Sequence, residues 1–517
     1  MLLSTASLGQ EPTLKGRIID SKAGTPIPFA TILLKGKGQQ GTMGLVSNTE
    51  GDFRIPLRYS EKVDTIVVSC IGYVTTKFLI GQLREDRIQL IRMNEATLQL
   101  GEVEIRARGR RMNALSIVRS AIRNIPYNYS SSPESYVAYY RDYQMRDNQY
   151  INLNEAIVEV YDEGFVSNDQ LTTKMLLYDY KRNEDFSRDT TTEIPYDNFR
   201  TKFIPGARLY HYGGNELVIL RVHDALRNYK IPSYSFVGML EKDFTVNHKF
   251  NLDRTIFLNE TPLYQISFHT RDFASGEQHV ARGKIYIEHG NYAIHKMEYT
   301  TYELENSKEK TLYDIQVEYS RAGPSMRLNY LSFNNFFSLR DPLDFEVREV
   351  SYVKIMRAME IIFNKIPSVE SALDIKNYEL SYRGKPLVIT DVRAGNVNRG
   401  ELANSVYLQI HSYLFPKNAG DATSDFALKF KEIYDTDGRL LNKVNYIPVN
   451  QFREIFVQKA TEYESNLPDS LYVKKDMPLS ESLRKNISLD DSEYWMNTPL
   501  KPAPEKPFVE LDVNEDK

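Results

Sequence analysis

Apolar and polar residues alternate over short runs between residues 14 and 107, and Gly, Pro and Asn separate these runs. The side chains of a β-strand point alternately to its two faces, so this period of two predicts strands with one buried face. Two runs each place three apolar residues on one face, Ile66, Val68 and Cys70 in one and Phe53, Ile55 and Leu57 in the other. Several short strands joined by tight turns predict a small β-sandwich that contains all of its own strands.

The order of signals in this segment resembles the carboxypeptidase-regulatory-like, or transthyretin-like, β-sandwich that opens many envelope proteins of Gram-negative gut and soil bacteria. The residues that carry the resemblance are Gly16, Asp20, Pro26-Ile27-Pro28-Phe29-Ala30, Lys35-Gly36, Gly41-Thr42, Gly51, Phe53, Ile71-Gly72-Tyr73 and Leu100-Gly101-Glu102-Val103. They cover less than a fifth of the 517 residues. The resemblance implies a fold and a place in the cell envelope, and it implies no reaction.

Residues 108–126 are predicted to be a linker followed by a helix. Four apolar residues recur there at helical spacing, namely Leu115, Val118, Ile122 and Ile125. Asn113 can cap this helix, and Pro126 is expected to end it. The basic run before it is interpreted as a solvated interdomain linker and contains Arg106, Arg108, Arg110 and Arg111.

Longer alternating runs fill residues 127–370, among them YVAYYRDYQM, YINLNEAIVEVYD, PLYQISFHTRD, LYDIQVEYSR and SMRLNYLSFNNFF. Consecutive strands joined by short turns form antiparallel sheets. A helical interlude is predicted near HDALRNYK. We therefore expect a large curved antiparallel sheet with helices in its concavity, an architecture that resembles the half-barrel of periplasmic lipoprotein carriers.

Residues 371–500 are predicted to form a mixed α/β region. ELSYRGKPLVITDV and SVYLQIHSYLF have the alternation of strands, whereas FREIFVQKATEYES is typical of a helix. The tail, residues 501–517, is Pro-rich and acidic, and we expect it to be extended or disordered. The predicted fold class is thus mainly β with α+β parts.

The first residues, MLLSTASLGQ, are typical of the end of a secretory signal peptide with a cleavage region between Ala6 and Gln10. We assign residues 1–13 to this leader and expect an exported protein of the periplasm or outer membrane. The sequence contains no run of about 18 apolar residues, so no membrane-spanning helix is predicted.

Composition narrows the classes of function. A net charge of −4 and a pI near 6.2 exclude a general nucleic-acid binder, which needs a basic surface. The 35 tyrosines are typical of half-buried sheet faces. Cys70 is the one cysteine, so no intramolecular disulfide can form, and its alternation with Ile66 and Val68 predicts a core residue rather than a reactive thiol.

Histidines provide the candidate metal ligands. His295 and Glu298 have the spacing of the zinc pair of metallocarboxypeptidases, and His411 is the only histidine downstream. The pair lies on a predicted strand, where residues three apart face opposite ways, whereas zinc needs converging ligands. His279, His289 and His295 also cluster in sequence, and hairpin pairing could bring two of them together at a metal ion. Exposed histidines are commoner than metal sites, so we favour surface histidines here.

Two glycine-containing motifs are predicted to be turns. Gly36-Lys37-Gly38-Gln39-Gln40-Gly41 spells GxGxxG, but a strand rather than a helix is predicted after it, so no dinucleotide site is expected. Residues 48–52, Asn-Thr-Glu-Gly-Asp, contain too few carboxylates at fixed steps for a calcium loop.

These patterns favour a non-catalytic, exported cell-envelope protein that acts as a binding or assembly module. No catalytic, metal-binding or cofactor-binding residue is assigned, and no cofactor is expected. The expected partners are other envelope proteins or an extracellular ligand, not nucleic acid.

Two alternative functions stay open. One is a zinc metallocarboxypeptidase-like hydrolase that uses His295 and Glu298. The other is an outer-membrane β-barrel or transport-associated component built from the tyrosine-rich strands.

Overall fold

The computed structural model describes residues 12–36, 43–96, 113–193, 202–203, 215–229, 244–271, 279–305, 308–340, 343–395, 404–411, 423–461, 463, 467–484, 494–498 and 508–510. The chain forms two compact units, Met1–Phe337 with Pro448–Lys517, and Ser338–Ile447. Strands dominate both units, which confirms the mainly β fold predicted from the alternating runs.

The N-terminal sandwich lies in the first unit and is built around one apolar core. Its strands are β1 (Thr13–Asp20), β2 (Thr31–Gly36), β3 (Met43–Val46), β4 (Asp52–Pro56), β5 (Val63–Ser69), β6 (Thr76–Leu79) and β7 (Ile88–Met93). They form two sheets, with the order β3-β2-β5-β6 in one and β7-β1-β4 in the other. Ile66 and Val68 on β5, and Phe53 and Ile55 on β4, are buried in this core as the alternation predicts.

A large antiparallel sheet forms the rest of the first unit. Its strands are β8 (Glu134–Arg146), β9 (Gln149–Asp162), β10 (Lys174–Arg182), β11 (Lys202–Phe203), β12 (His248–Leu258), β13 (Thr261–Thr270), β14 (His279–Glu288), β15 (Ile294–Glu305), β16 (Lys308–Ala322), β17 (Ser325–Arg340) and β25 (Tyr446–Thr461). The order is β10-β9-β8-β25-β17-β16-β15-β14-β13-β12, and β11 pairs with β17 off this path. Most strands neighbour the next strand in sequence, as short hairpins require.

The prediction of a helix over residues 452–465 is wrong for residues 452–461, which belong to β25 between β8 and β17. Both faces of β25 are buried. Ile455 packs into the core on one face of the sheet, and Phe456 packs into a separate cluster on the other. The polar residues that favour a helix in isolation are paired inside the protein, since Glu454 contacts Arg141 and Arg453 donates to Asn335. Tertiary contacts therefore override local propensity here.

Helices pack against one face of the large sheet. They are α1 (Ala114–Asn128), α2 (Asp169–Thr172), α3 (Glu216–Arg221) and α4 (Phe244–Asn247), and residues of α1, α3 and α4 share a core with the sheet. The Asn113 side chain caps α1, accepting a hydrogen bond from the Ser116 amide at 2.8 Å as predicted. The helix continues past Pro126 to Asn128, and the buried face includes Ile117 and Ala121, which the apolar spacing missed. Among the described helices, none has the length and apolar composition that a membrane crossing requires.

Two elements from the C-terminal part complete the sandwich, so the expectation that residues 14–107 contain all of its strands is wrong. β26 (Phe508–Glu510) pairs in parallel with β7. Trp495 is 5% exposed within the sandwich core, and its ring lies 4.8 Å from that of Tyr59. Local patterns cannot reveal these contributions because they come from a distant part of the chain.

The unit Ser338–Ile447 contains two small sheets over its own core. Its elements are β18 (Val347–Val353), β19 (Ala358–Phe363), α5 (Val369–Ala372), β20 (Tyr378–Tyr382), β21 (Lys385–Leu387), β22 (Ile389–Ala394), β23 (Ser405–Ile410) and β24 (Phe426–Phe430). The sheet orders are β18-β19-β23-β22 and β21-β20-β24. Strands therefore form over ELSYRGKPLVITDV and in SVYLQI, as predicted.

Short 3₁₀ helices connect some of these elements and span Leu57–Glu61, Ile80–Gln82, Ile375–Asn377, Thr423–Asp425, Asp469–Leu471 and Leu479–Glu481. Several sequence predictions concern residues outside those described. They are residues 1–11 of the leader, the motif residues 37–42, the end of the predicted sandwich segment at residues 97–107, the start of the predicted linker at residues 108–112, and the tail apart from residues 508–510.

Candidate binding cleft beside the sandwich

The sandwich contacts the face of the large sheet opposite to the helices. Phe29 stacks on Tyr330 of β17, with ring centroids 4.8 Å apart. Val46 joins the same apolar cluster together with residues of β8, β9 and β25. Asn329 donates a hydrogen bond to the Thr31 hydroxyl at 2.9 Å, which extends the contact along β17.

The turn after β5 makes a second contact, near the other end of the sheet. The Gly72 amide donates to the Phe257 carbonyl of β12 at 3.3 Å, and Ile71 packs on a cluster that contains Leu263 and Tyr286. Ile71-Gly72-Tyr73 is one of the motifs that carry the family resemblance. In this chain, part of that motif touches another domain.

Burial at this second contact raises the pKa of Cys70 to about 12. Cys70 packs against the sandwich core but is only partly buried. A thiol with so high a pKa is almost wholly protonated at neutral pH, so it is a poor nucleophile. The interpretation of Cys70 as a packing residue agrees with this environment.

The strand registers arrange the exposed side of this sheet face in three parallel rows. We call the row nearest the sandwich the covered row, and it consists of Gln265, Tyr286, Lys296, Glu318 and Tyr330. The next is the inner row, Ser267, Lys284, Glu298, Gln316 and Ser332. The outer row is His269, Arg282, Thr300, Asp314 and Asn334. Directly paired residues lie about 5 Å apart across neighbouring strands.

A cleft of about 640 Å³ opens over the inner and outer rows, with Phe29 of the sandwich on its border. The side chains of both rows line it, and together they present hydroxyl, amide, ammonium, guanidinium, imidazole and carboxylate groups. Side chains of the inner row and of the outer row can therefore both donate and accept hydrogen bonds. A rigid sheet holds these groups, so little ordering is needed when a ligand binds.

A buried ion network connects the covered row to the inner row. Lys296 lies 3.1 Å from carboxylate oxygens of both Glu298 and Glu318. Burial opposes the charge on Lys296, but the two carboxylates outweigh burial and raise its pKa. Tyr286 donates to Glu298 at 3.0 Å and Gln316 donates to Glu318 at 2.9 Å. Ion pairs and hydrogen bonds among these buried groups therefore fix the position of Glu298, which lines the cleft.

Asp314 is the acidic group of the outer row. Burial raises its pKa to about 6, and a hydrogen bond from Asn334 opposes this shift only in part. A carboxyl with this pKa changes charge in the physiological range, so it can donate a hydrogen bond below pH 6 and accept one above it. Lys284 on the neighbouring row adds a cation to the same cleft.

The candidate zinc pair is not brought together. His295 Nε2 donates to the Glu288 carboxylate at 2.9 Å, whereas Glu298 contacts Lys296. The two residues belong to β15, where alternation separates them as the sequence predicts. The described residues contain no group of three or more His, Cys, Asp or Glu side chains placed to hold a metal ion.

The other histidines also occupy separate places. His289 stacks on Tyr264 in the turn after β14, with centroids 3.6 Å apart. His279 begins β14 opposite Glu303. His411 follows β23 in the unit Ser338–Ile447.

The predicted turn at residues 48–52 forms. Asn48 Oδ1 accepts hydrogen bonds from the amides of Glu50 at 3.0 Å and Asp52 at 2.7 Å. Gly51 has φ +73°, a value that favours glycine. Asp52 pairs with Arg17 at 2.5 Å, and Glu50 accepts from Tyr150 at 2.8 Å. For the other motif, Gly36 ends β2 and a strand, β3, begins at Met43.

Buried ionic groups lie on both faces of the large sheet and were not predicted from the sequence. On the helix face, Arg221 contacts Asp162 at 2.9 Å and Asp169 at 2.6 Å. On the sandwich face, Arg141 contacts Glu454 at 2.5 Å, and both side chains are buried. Alternation of polar and apolar residues predicts that the polar residues of a strand are exposed to solvent. The burial of these charged residues could therefore not be predicted from the sequence.

The family match of this chain lies in its N-terminal segment. The family model of the CarboxypepD_reg-like domain matches residues 14–105, which confirms the resemblance of this segment. No curated protein matches the chain. A LolA superfamily protein from Nitrosomonas europaea is 13% identical, with 43% of this chain and 86% of that chain covered and a TM-score of 0.18. A DUF1329 family protein from Desulfovibrio piger is 8% identical, with 43% and 87% covered and a TM-score of 0.20. Neither TM-score supports an argument about fold or function.

Proposed function

We propose that this protein is a non-catalytic, exported binding module of the cell envelope, and that the cleft over the inner and outer rows takes a hydroxyl-rich ligand such as an oligosaccharide. The sandwich is part of the site in this proposal, because Phe29 borders the cleft. The leader-like start and the CarboxypepD_reg-like domain support the envelope location.

The observation that carries the proposal is the composition of the two rows. Each sugar hydroxyl can donate one hydrogen bond and accept others, so it matches side chains that offer both roles. Gln316 and Asn334 offer amides, Ser332 and Thr300 offer hydroxyls, and Asp314 offers a carboxyl on neighbouring strands. An aromatic ring at the border, Phe29, provides an apolar surface for the carbon face of a sugar ring.

The chemistry of the cleft supports binding rather than a reaction. Glu298 is engaged by Lys296 and Tyr286. Burial opposes its ionisation, but the charge of Lys296 and the hydrogen bonds from Lys296 and Tyr286 outweigh burial and lower the pKa of Glu298. Arg282 is paired with Glu309 on β16. These charged side chains form ion pairs with their neighbours, so their positions on the sheet are fixed. A surface with fixed polar groups favours ligand recognition.

An oligosaccharide array probed with the purified full chain tests this function. Binding to one class of glycan is expected, and Gln316→Ala and Lys284→Ala are each expected to weaken it about tenfold, since each removes a hydrogen-bonding group from the inner row. Lys385→Ala, on the exposed β21 of the other unit, is the matched control and is expected to bind like the parent. Absence of glycan binding, or equal binding by the Gln316 and Lys284 variants, would refute the proposal.

Fractionation of the native host tests the location. We expect the protein with the envelope fractions and processed between residues 6 and 11. Recovery from the cytoplasm with Met1 retained would contradict export.

A further inference from the structure

A second cavity lies at the other side of the sandwich contact, over β9 and β10. Its volume is about 390 Å³, and it is bounded by β1 and β4 of the sandwich, by β9 and β10 of the large sheet, and by residues 494–498. We infer that this cavity is a binding site for a phosphoryl group carried by a small organic molecule or a lipid headgroup. The site is independent of the glycan cleft, which lies over β13–β17.

The charges that line the cavity favour an anion. Four basic side chains line it, Lys15, Arg54, Arg58 and Lys181, against two acidic ones, Asp179 and Asp185. The difference is two positive charges. A phosphate monoester carries about −1.5 to −2 charges at pH 7, so its charge matches this excess.

Arg54 is the group on which the assignment depends. Its Nε is buried and has no hydrogen-bond partner among the described residues. Asp185 and Glu155 attract Arg54 through space, but burial outweighs them and lowers its pKa. Both oxygens of Glu155 are already used, by Tyr139 at 2.7 Å and Asn183 at 2.5 Å. A desolvated guanidinium without a bonded anion is costly, and an oxyanion bound to its planar fork would remove that cost.

The backbone of Arg54 is held on both sides, which fixes the start of its side chain. Its amide donates to the Asn497 side chain at 2.9 Å, and its carbonyl accepts from the Trp495 indole at 3.2 Å. Thr13 and Thr498 also line the cavity and carry hydroxyl groups. The site is thus formed before a ligand arrives, which reduces the entropy lost on binding.

The size of the cavity decides between a bare ion and a larger ligand. A volume of about 390 Å³ lies within the usual range of small-molecule pockets, about 300–1,000 Å³, and exceeds what a phosphate ion fills. Arginine binds phosphoryl groups in a bidentate manner, whereas Lys15 and Lys181 add charge without such geometry. A soluble phosphate monoester and a lipid headgroup present the same group to Arg54.

Titration calorimetry at constant ionic strength tests the inference, with glycerol 3-phosphate and inorganic phosphate as soluble probes. Flotation with vesicles of phosphatidylcholine, with and without phosphatidic acid, tests the lipid source. We expect saturable binding of glycerol 3-phosphate or of the phosphatidic acid vesicles, and Arg54→Gln is expected to weaken it at least about tenfold. Soluble binding alone assigns a free metabolite, and vesicle binding alone assigns a headgroup.

The melting temperature separates a ligand role of Arg54 from a structural one. Without phosphate, Arg54→Gln is expected to melt no lower than the parent, because it removes a half-buried charge whose Nε has no hydrogen-bond partner among the described residues. With glycerol 3-phosphate the parent alone is expected to gain stability. Lys181→Gln, on the exposed side of β10, provides a second variant that leaves the Arg54 backbone contacts intact, and it is expected to weaken binding too.

Lys385→Ala, on the exposed β21 of the other unit, is the control and is expected to bind glycerol 3-phosphate like the parent. Binding of neither soluble phosphate nor phosphatidic acid vesicles would overturn the inference. So would undiminished binding by folded Arg54→Gln and Lys181→Gln. Neither result depends on whether the cleft binds glycans.

Discussion

Phe29 of the sandwich stacks on Tyr330 of the large sheet, with ring centroids 4.8 Å apart and an interplanar angle of 26°. The Tyr330 hydroxyl donates to Glu454 at 2.8 Å, and Glu454 pairs with the fully buried Arg141. The sandwich therefore packs on the Tyr330 ring, and the hydroxyl of this ring is held by the buried Glu454–Arg141 ion pair. Phe29 also borders the candidate cleft over the inner and outer rows.

Truncation of Phe29 is expected to loosen the attachment of the sandwich. Phe29→Ala should lower the free energy of unfolding by about 2 kcal/mol, since a half-buried ring and its aromatic contact are lost. Urea denaturation measures the change. Tyr127→Ala is the control, because Tyr127 is 83% exposed at the end of α1 and should be nearly silent. Equal stability of Phe29→Ala and the parent would contradict the role of the stack.

The Trp495 side chain is expected to stabilise the sandwich from outside its own segment. Trp495→Ala should destabilise the protein by about 3 kcal/mol, because it empties a core position that no neighbouring residue can fill. Hydrogen exchange should then accelerate at the Arg54 amide, which is held by Asn497 in the same segment. Unchanged exchange at Arg54 together with unchanged stability would mean that residues 494–498 do not support the sandwich.

Glu216 at the start of α3 is expected to make stability depend on pH. Burial raises its pKa to about 7, with a smaller contribution from the charge of Asp142. A carboxyl with a raised folded-state pKa favours folding below its unfolded pKa, and this contribution is lost as the pH rises through 7. Glu216→Gln should therefore stabilise the protein by about 2 kcal/mol at pH 8 and much less at pH 5.

Urea denaturation at the two pH values measures this difference. The glutamine can still accept the hydrogen bond that the Leu479 amide donates to Glu216. Glu260→Gln, at an exposed turn between β12 and β13, is the matched control for the loss of a carboxylate. A constant effect of Glu216→Gln between pH 5 and pH 8 would show that Glu216 does not titrate in this range.

His295 is expected to have a structural role and to bind no zinc. Hydrogen bonds from His295 and Arg321 lower the pKa of Glu288 to about 2, so this carboxylate stays charged and holds His295 in place. Metal analysis of untagged protein purified without chelator should find no stoichiometric zinc. His289→Ala serves as the comparison for His295→Ala. One equivalent of zinc, lost in His295→Ala together with hydrolysis of C-terminal residues, would support an enzyme instead.

Strand alternation predicted much of the fold because it reflects local geometry. The runs at β8, β9, β13, β16 and β17 were recognisable from period two alone, and Asn113 was recognisable as a helix cap. β25 was not recognisable, because Arg453, Glu454 and Lys459 are typical of a helix when the sequence is considered alone. Only the folded structure shows the buried partners of Arg453 and Glu454. The candidate cleft was also invisible. Its rows require the register between five strands, and no single run contains that information.

The sequence by itself determined the β class, the family of the N-terminal sandwich and the separation of His295 from Glu298, because each follows from periodicity or motif within one segment. Tertiary structure decided which charges are buried, which distant residues complete the sandwich, and where the two cavities open. Arg54 illustrates the difference. In the sequence it is a polar position on a short strand, and only the folded chain brings Asn497 and Trp495 to its backbone and buries its Nε. Desolvation depends on everything that surrounds a group in space, so pairing and packing across the chain decide it.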